Sequence, residues 1–402
     1  MKQTWKTFDF TLLFTPLILS LFGIAMIYSA SMVSSVIAGN PAYHLMSRQL
    51  LWFGIGLVAF VFTSLFNYHF YQKIIKFIIV ILIILLFSVL FFGSTLNNST
   101  SWILIGPFSV QPSEFVKLGL IIYLAAIYSK KQGYIDDFLK GVLPPLIITG
   151  LLLALIIRQP DIGTAAIIFL IASSVILSSG IKWKHLSVLI IIGVIVLVVG
   201  GMQMITDERI SRFTGAYEPF SDPDDGGYQL IQSYIAMGTG GITGEGIGQG
   251  IQKLGYLTQP ESDFIMAVIA EELGFIGVLL VIGAIALIVL RGLYISRKCK
   301  NNFGSLLAIG ISSMIGIQAM INLGAISGLL PITGVPLPFI SYGGSSLMVM
   351  LIGTGILNNI ARHVKHEMIY DESYEVDVKE EERNVNNHPV RNFNRQKRST
   401  RG

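Results

Sequence analysis

Charge is scarce in this 402-residue chain, with Asp, Glu, Lys and Arg making up 13% of it. Soluble domains carry roughly a quarter charged residues, so the shortage excludes an ordinary soluble enzyme and a nucleic-acid binder. Cysteine is scarcer still. The single Cys299 excludes an internal disulfide, a zinc cluster and an iron–sulfur site. The six histidines (His44, His69, His185, His363, His366 and His388) fall in or near expected loops and show no metal-ligand spacing. Any chemistry must therefore come from carboxylates, amines, amides and the backbone. Apolar residues are what the chain has in excess: 52% hydrophobic, with a mean hydropathy of +0.67. The fold class expected is an all-α polytopic integral membrane protein.

A span needs about 20 mostly apolar residues, and about ten such segments can be read along the chain. They lie near 10–30, 49–67, 74–94, 114–129, 141–158, 163–180, 186–203, 264–290, 304–330 and 339–361. Placing the N-terminus inside and alternating assigns Lys2, Lys6, Lys73, Lys76, Lys130, Lys131, Lys140, Lys182, Lys184, Arg291, Arg297, Lys298 and Lys300 to the cytoplasmic side. The outer loops receive only Arg48, Arg158, Arg209, Arg212 and Lys253. That asymmetry supports an N-in, C-in topology. The first apolar run is longer than a usual signal-peptide core, so it reads as a retained helix.

Two segments stand outside the spans. Residues 204–263 form one large extracytoplasmic loop between the seventh and eighth spans, long enough to hold structure of its own. Within it Tyr228–Met237 has the apolar spacing of a helix lying along the membrane surface. The membrane domain is expected to occupy 1–370. The polar tail 371–402, acidic at Glu380–Glu382 and basic at Arg391, Arg395, Lys397, Arg398 and Arg401, is expected to be disordered in the cytoplasm.

Ionisable groups inside the hydrocarbon are costly and mark candidate sites. Glu114 and Lys117 open the fourth span at i, i+3, which places them on one face as an ion pair; a structural bridge and a substrate contact are both open. Glu271 and Glu272 point about 100° apart on the eighth span, so at least one needs a partner, and a packing role is favoured. Asp263 lies at the outer mouth of that span, where a carboxylate can reach a water-borne group and a lipid phosphate together. The glycine run Gly238–Gly250 lacks a P-loop ending and reads as a tight outer loop whose N–H groups can meet an anion. Asp222, Asp224 and Asp225 read as an exposed acidic turn rather than a cation site. Gln318 and Asn322 share a face of the ninth span, and Pro331, Pro336 and Pro338 break the chain before Ser341–Ser346. Non-helical backbone at that depth must be buried in protein or line a wet cavity.

These residues resemble a known signature. Ser101-Trp-Ile, Gly106-Pro-Phe-Ser-Val-Gln-Pro-Ser-Glu-Phe-Val-Lys117, Gln159-Pro-Asp-Ile-Gly-Thr-Ala165, Asp263-Phe-Ile-Met, Glu271-Glu-Leu-Gly274 and Gly334-Val-Pro-Leu-Pro-Phe-Ile-Ser-Tyr-Gly-Gly-Ser-Ser346 are similar, in order, to the FtsW/RodA/SpoVE (SEDS) family. The likeness covers nearly the whole chain except the tail and is strongest to the family's cell-division branch. It implies a peptidoglycan glycosyltransferase that polymerises lipid II on the outer face of the bacterial cytoplasmic membrane at the septum. The implied partners are a class B penicillin-binding protein and other divisome membrane proteins. The family's essential aspartate carries over to Asp263, its outer-loop tryptophan to Trp102, its acidic–basic pair to Glu114 and Lys117, and its C-terminal signature to Pro336 and Ser341 through Ser346, including Ser345. One departure is visible: Pro260 and Glu261 stand nearer to Asp263 than the family pattern has them, which leaves Asp263 in place and the role of Glu261 open.

The implied reaction sets two chemical needs. A base takes the acceptor hydroxyl's proton, and positive charge stabilises the departing lipid pyrophosphate. Asp263 is the candidate base. Lys117, Arg158, Arg209, Arg212 and Lys253 are the candidate cations, with Mg²⁺ or Mn²⁺ as a further source of charge and no organic cofactor. Trp102 either stacks on a sugar or anchors at the interface. A lipid II flippase and a non-catalytic divisome scaffold are the alternative functions. The sparse charge in the inner halves of the spans disfavours the flippase.

Overall fold

The computed structural model describes residues 7–96, 99–106, 108–134, 137–182, 184, 187, 207–224 and 226–387. Among them, eight helices are long and apolar enough to cross a membrane. α1 (Phe10–Ile37), α2 (His44–Leu65) and α3 (His69–Phe92) are followed by a small antiparallel sheet. Its strands are β1 (Ser94–Leu96), β2 (Ser99–Ile105) and β3 (Phe108–Val110). α4 (Pro112–Lys130) leads to a π-helical turn, Phe138–Val142, that runs into α5 (Leu143–Ile157). α6 (Ile162–Ser178) is shorter but apolar. Beyond it come α7 (Asp207–Tyr217), α8 (Tyr228–Gly240), α9 (Ile265–Lys298), α10 (Asn302–Ile326) and α11 (Gly344–Asn387).

The sequence reading of about ten spans therefore meets eight long helices plus α6. Its segment 186–203 lies largely outside the described residues, with only Ser187 inside them. α11 continues to Asn387, into the expected 371–402 tail, whose residues 388–402 lie outside the described residues. Glu and Lys are strong helix formers, and the Lys379–Arg383 run extends the helix rather than ending it.

Caps fix where several helices start. Asp9 accepts from the Leu12 N–H, Asp161 from the Thr164 N–H at 3.1 Å, and Asn301 from the N–H groups of Phe303 and Gly304. Each fills one of the donors a helix N-terminus leaves free. Pro112 sits in the first turn of α4, where its missing N–H costs nothing.

α10 packs against α9, α4 and α6, and α11 against α2, so α4, α10 and α11 are the most enclosed helices. α3 and α9 show long apolar stripes on their outsides instead. At one end of the bundle Asp9 pairs with Arg291 at 2.7 Å, and Asn358 and Asn359 of α11 accept from the backbone N–H groups of Asp9 and Tyr68. A second group of buried polar side chains, including Gln49, Glu114, Lys117, Gln318, Asn322 and Ser341, lies at the opposite end.

The large loop is built rather than loose. α8 is the helix the sequence predicts, and it packs along α9 with Ser233 bonded to the Ile326 carbonyl. Its continuation, 241–253, wraps a break in α9. At that break Gly274 takes φ 64° and ψ −164°, a region open essentially to glycine alone. A Cβ there would stand 2.4 Å from the Gly244 nitrogen. Gly274→Ala is expected to destabilise the protein by about 1–3 kcal/mol from backbone strain, with the clash adding to it. Thermal unfolding of the purified protein in detergent checks this.

Candidate functional site

Asp263 stands at the mouth of α9, one residue before Phe264, the helix's N-cap position. The Ser262 hydroxyl donates to its Oδ1 at 2.9 Å. Its backbone carbonyl accepts from Asn322 Nδ2 at 2.9 Å, and the same amide reaches the Val335 carbonyl at 2.8 Å. Asn322 thus ties the start of α9 to the proline-broken segment before α11. The carboxylate itself is only half-buried, facing Gly334 across 3.6 Å from a Cβ position on that glycine. A group held by its backbone with its side chain part-open suits proton transfer.

A second brace lies one chain turn away. Ser341 Oγ donates to the Ser262 carbonyl at 2.6 Å and accepts from the Leu337 N–H at 2.7 Å. Tyr342 N–H donates to the Glu261 carbonyl at 2.8 Å. Gln49 of α2 clamps the same turn from the other side, with Nε2 on the Ser341 carbonyl and Oε1 accepting from the Gly343 N–H. Arg48 lies beside the Tyr342 side chain. Glu261 has its carboxyl pushed up, first by burial and further by the charge of Asp263. Ser341→Ala removes both hydroxyl bonds and is expected to cost about 1–3 kcal/mol. Activity should fall further than the loss of folded protein explains, because the Asp263 segment loses its tie; activity per folded molecule is the measurement.

Glu114 and Lys117 form the pair the spacing predicts. They are buried, 2.7 Å apart in the first turns of α4, where the helix N-terminus favours an acidic group. Lys117 Nζ also donates to Gln318 Oε1 at 2.6 Å, and Gln318 Nε2 reaches the Pro336 carbonyl and the Ser346 hydroxyl. Gln318 and Asn322 lie four residues apart on α10, an axial step of about 6 Å. The Lys117 and Asp263 groups are therefore neighbours along one helix. Glu114 Oε2 has no hydrogen-bond partner among the described residues. Gln111 completes this side: its amide donates to Asp161 Oδ2 at 3.2 Å, and its N–H to Ser345 Oγ at 3.1 Å. Burial raises the Asp161 carboxyl, and the Thr164 N–H opposes that.

The other sequence-named residues separate. Trp102 is half-buried on β2, opposite Ser94 in the hairpin, while Trp52 packs edge-on against Phe108 of β3. Arg158 caps the C-terminus of α5 and is exposed. Arg209 and Arg212 fall on α7, and their side chains lie outside the described residues. Lys253 corrects the sequence reading: it is buried, donating to Glu272 and to Ser29 Oγ of α1, so its ammonium is not open to a substrate at the outer side. The loop folds back across the break in α9 and carries Lys253 inward with it.

Both glutamates of the eighth span have partners. Glu272 meets Lys253 and Ser29, while Glu271 accepts from the Ile251 and Gln252 N–H groups. The anion that the glycine run's continuation receives is this internal carboxylate. Sequence reasoning passed over Gln49, and it quoted Gln111 within a motif without giving it a role. Neither has a local pattern, and both act on segments far away in the chain.

Comparison with known proteins follows the same geometry. Residues 10–366 match the family described as cell cycle protein, FtsW/RodA/SpoVE. The chain is 48% identical over 376 residues to the probable peptidoglycan glycosyltransferase FtsW of Bacillus subtilis, covering 91% of this chain and 93% of that one. It is 40% identical to the stage V sporulation protein E of the same organism, covering 89% and 98%. A solved peptidoglycan synthase complex, one coordinating polymerization and crosslinking, contains a chain that superposes with a TM-score of 0.73 at 26% identity, covering 89% of this chain and 98% of that one. The rod shape determining protein RodA of Thermus thermophilus gives 0.65 at 25% identity, covering 88% and 97%.

Proposed function

Since this chain belongs to the FtsW/RodA/SpoVE family of cell cycle proteins, we propose that it is a peptidoglycan glycosyltransferase, a multi-pass membrane enzyme of septal cell-wall synthesis that polymerises lipid II. The observation that carries this reading is Asp263. It is a part-open carboxylate fixed by its backbone to Asn322 and through Ser262 to Ser341, beside a polar cluster at one end of the bundle.

In the reaction, the sugar hydroxyl of one lipid-linked unit attacks the anomeric carbon of another, and the bond to the lipid pyrophosphate breaks. Asp263 takes the hydroxyl proton as the new glycosidic bond forms. Positive charge facing the leaving pyrophosphate lowers the barrier by stabilising charge that develops only in the transition state. Lys117 is the buried cation next to this cluster, already neutralised by Glu114, so its first task is to hold the α4–α10 contact through Gln318. Arg158, Arg209 and Arg212 remain candidates for the pyrophosphate, and Trp102 for a sugar face.

A hard divalent cation keeps several waters and binds through one or two carboxylates plus substrate phosphates. The described residues hold no group of three or more metal-binding side chains. Glu261, whose Oε2 lacks a partner among the described residues, and Asp263 form a pair of carboxylates that fits such a shared Mg²⁺ or Mn²⁺. When bound it would add positive charge at the leaving group.

The same reading places the Asp263 end of the bundle outside the cytoplasm, the N-terminus inside and the enzyme at the septum. A class B penicillin-binding protein would crosslink the strands, with other divisome membrane proteins alongside. The test is strand formation from purified lipid II in reconstituted membranes. The full-length protein is paired with a penicillin-binding protein whose own contribution is transpeptidation only. Strands that require this protein are expected. No strands from folded, partnered protein would overturn the polymerase in favour of a flippase or scaffold.

A further inference from the structure

The loop after α8 sits at a level that can be fixed against α9. Four backbone hydrogen bonds tie the two together. The Glu245 and Gly246 N–H groups donate to the Glu271 and Glu272 carbonyls, each at 3.0 Å, while the Phe275 and Ile276 N–H groups donate to the Gly241 and Ile242 carbonyls at 2.9 and 3.2 Å. The break at Gly274 frees those α9 groups, and the loop satisfies them. Gly240 and Gly244 permit the approach, since a Cβ on either would stand 1.9 and 2.2 Å from the Ala270 and Glu272 carbonyl oxygens.

Arg291, paired with Asp9, marks the far polar edge of α9. A hydrocarbon core of about 30 Å at 1.5 Å per residue then reaches up to about Glu271. The exposed apolar face of α9 obeys the same limit: it runs from Phe275 to Leu290, and no residue of Ile265–Gly274 is exposed. Ile276, and with it Ile242, therefore lies below the upper edge of the core. Ile242 is 71% exposed and Ile247 69%, and Ile251 is exposed beside them. At this depth the Gly241 and Ile242 carbonyls and the Glu245 and Gly246 N–H groups are bonded to α9, and the Gly244 N–H is bonded to the Gly240 carbonyl, which moves the loop toward the condition for non-helical chain in hydrocarbon. Glu245 and Gln249 are exposed as well, and Glu245, bonded at the level of Glu271, is at the edge, where a charge reaches water.

We propose that residues 241–251 are a wedge immersed in the leaflet at the Asp263 end, with Ile242 among the acyl chains and Ile247 and Ile251 at their upper boundary. The bilayer is the occupant because this surface continues the lipid-facing stripe of α9. Since Lys253 and Glu271 anchor the wedge to the helix that begins two residues after Asp263, immersion sets the height of that carboxylate above the acyl chains.

The experiment uses the full-length protein with Cys299→Ser, reconstituted in phosphatidylethanolamine–phosphatidylglycerol vesicles. Nitroxide labels are placed one at a time through Ile242→Cys, Ile247→Cys, Ile251→Cys and Glu245→Cys. Accessibility is read to oxygen, which partitions into lipid, and to a water-soluble nickel chelate. The oxygen-to-nickel ratio is expected to be several-fold higher at 242 than at 245, with 247 and 251 between them. Equal nickel access at all positions would overturn immersion and make this a solvent loop. Exclusion of both reagents at 242 and 247 would overturn it in favour of a protein cover. If Ile242→Cys does not fold, the ratios at 247 and 251 against 245 decide the question.

Discussion

Asp263→Asn is expected to lower glycan-strand formation by about 10²–10⁴-fold, the range that general acid–base catalysis contributes, while leaving the folded protein intact. The second half of that expectation comes from the geometry. Asn322 holds the Asp263 backbone carbonyl, and Ser341 holds the Ser262 carbonyl, so neither tie involves the carboxylate. An asparagine keeps the volume and can still accept from the Ser262 hydroxyl, which bonds one oxygen of the side chain. What the amide cannot do is take a proton from a sugar hydroxyl. The measurement is strand formation per folded molecule, with unfolding temperature and partner binding recorded on the same preparations. Equal strand formation in the two proteins would remove Asp263 from the chemistry and leave it a structural role.

The place of Asp263 at the mouth of α9 was legible in the sequence because it sits at the end of an apolar run, whereas the role of base assigned to it came from the family resemblance. Glu114 and Lys117 were legible for a similar reason: their contact is local, three residues apart on one helix. Gln318 and Asn322 follow the same rule, and α8 was visible in the spacing of Tyr228–Met237.

The losses share a physical cause. Gln49 acts on Ser341 across 292 positions, and Ser29 on Glu272 across 243. No periodicity encodes such contacts, because they depend on which helices become neighbours. The break at Gly274 was hidden within a span that reads as apolar apart from Glu271 and Glu272, since hydropathy does not distinguish a straight span from one whose carbonyls are bonded by a neighbouring loop. With that break unseen, the loop read as an outer excursion, and Lys253 read as a cation facing water.

The buried Lys253–Glu272 pair gives the second large effect, this time on stability. Glu272→Ala is expected to destabilise the protein by about 3–5 kcal/mol, because it leaves an ammonium buried without its counter-charge. Ser29 Oγ would remain as a neutral partner for Lys253 at 2.9 Å, too little to replace a carboxylate. Lys253→Met alone should cost less. The abandoned glutamate keeps the Ser29 hydroxyl, which reaches both of its oxygens at 2.7 and 3.0 Å. The double variant Lys253→Met with Glu272→Leu is expected to recover most of the loss, since apolar groups of similar volume often replace a buried ion pair at little cost. Unfolding of the single and double variants in detergent forms the cycle, and a double variant as unstable as Glu272→Ala would contradict it. Activity separates two uses of the pair. If it serves only to join the loop to α1 and α9, the double variant should polymerise as the parent does. If strand formation stays low in a double variant that is stable, the charge itself bears on the site, through the chain that links Lys253 to Asp263 over ten residues.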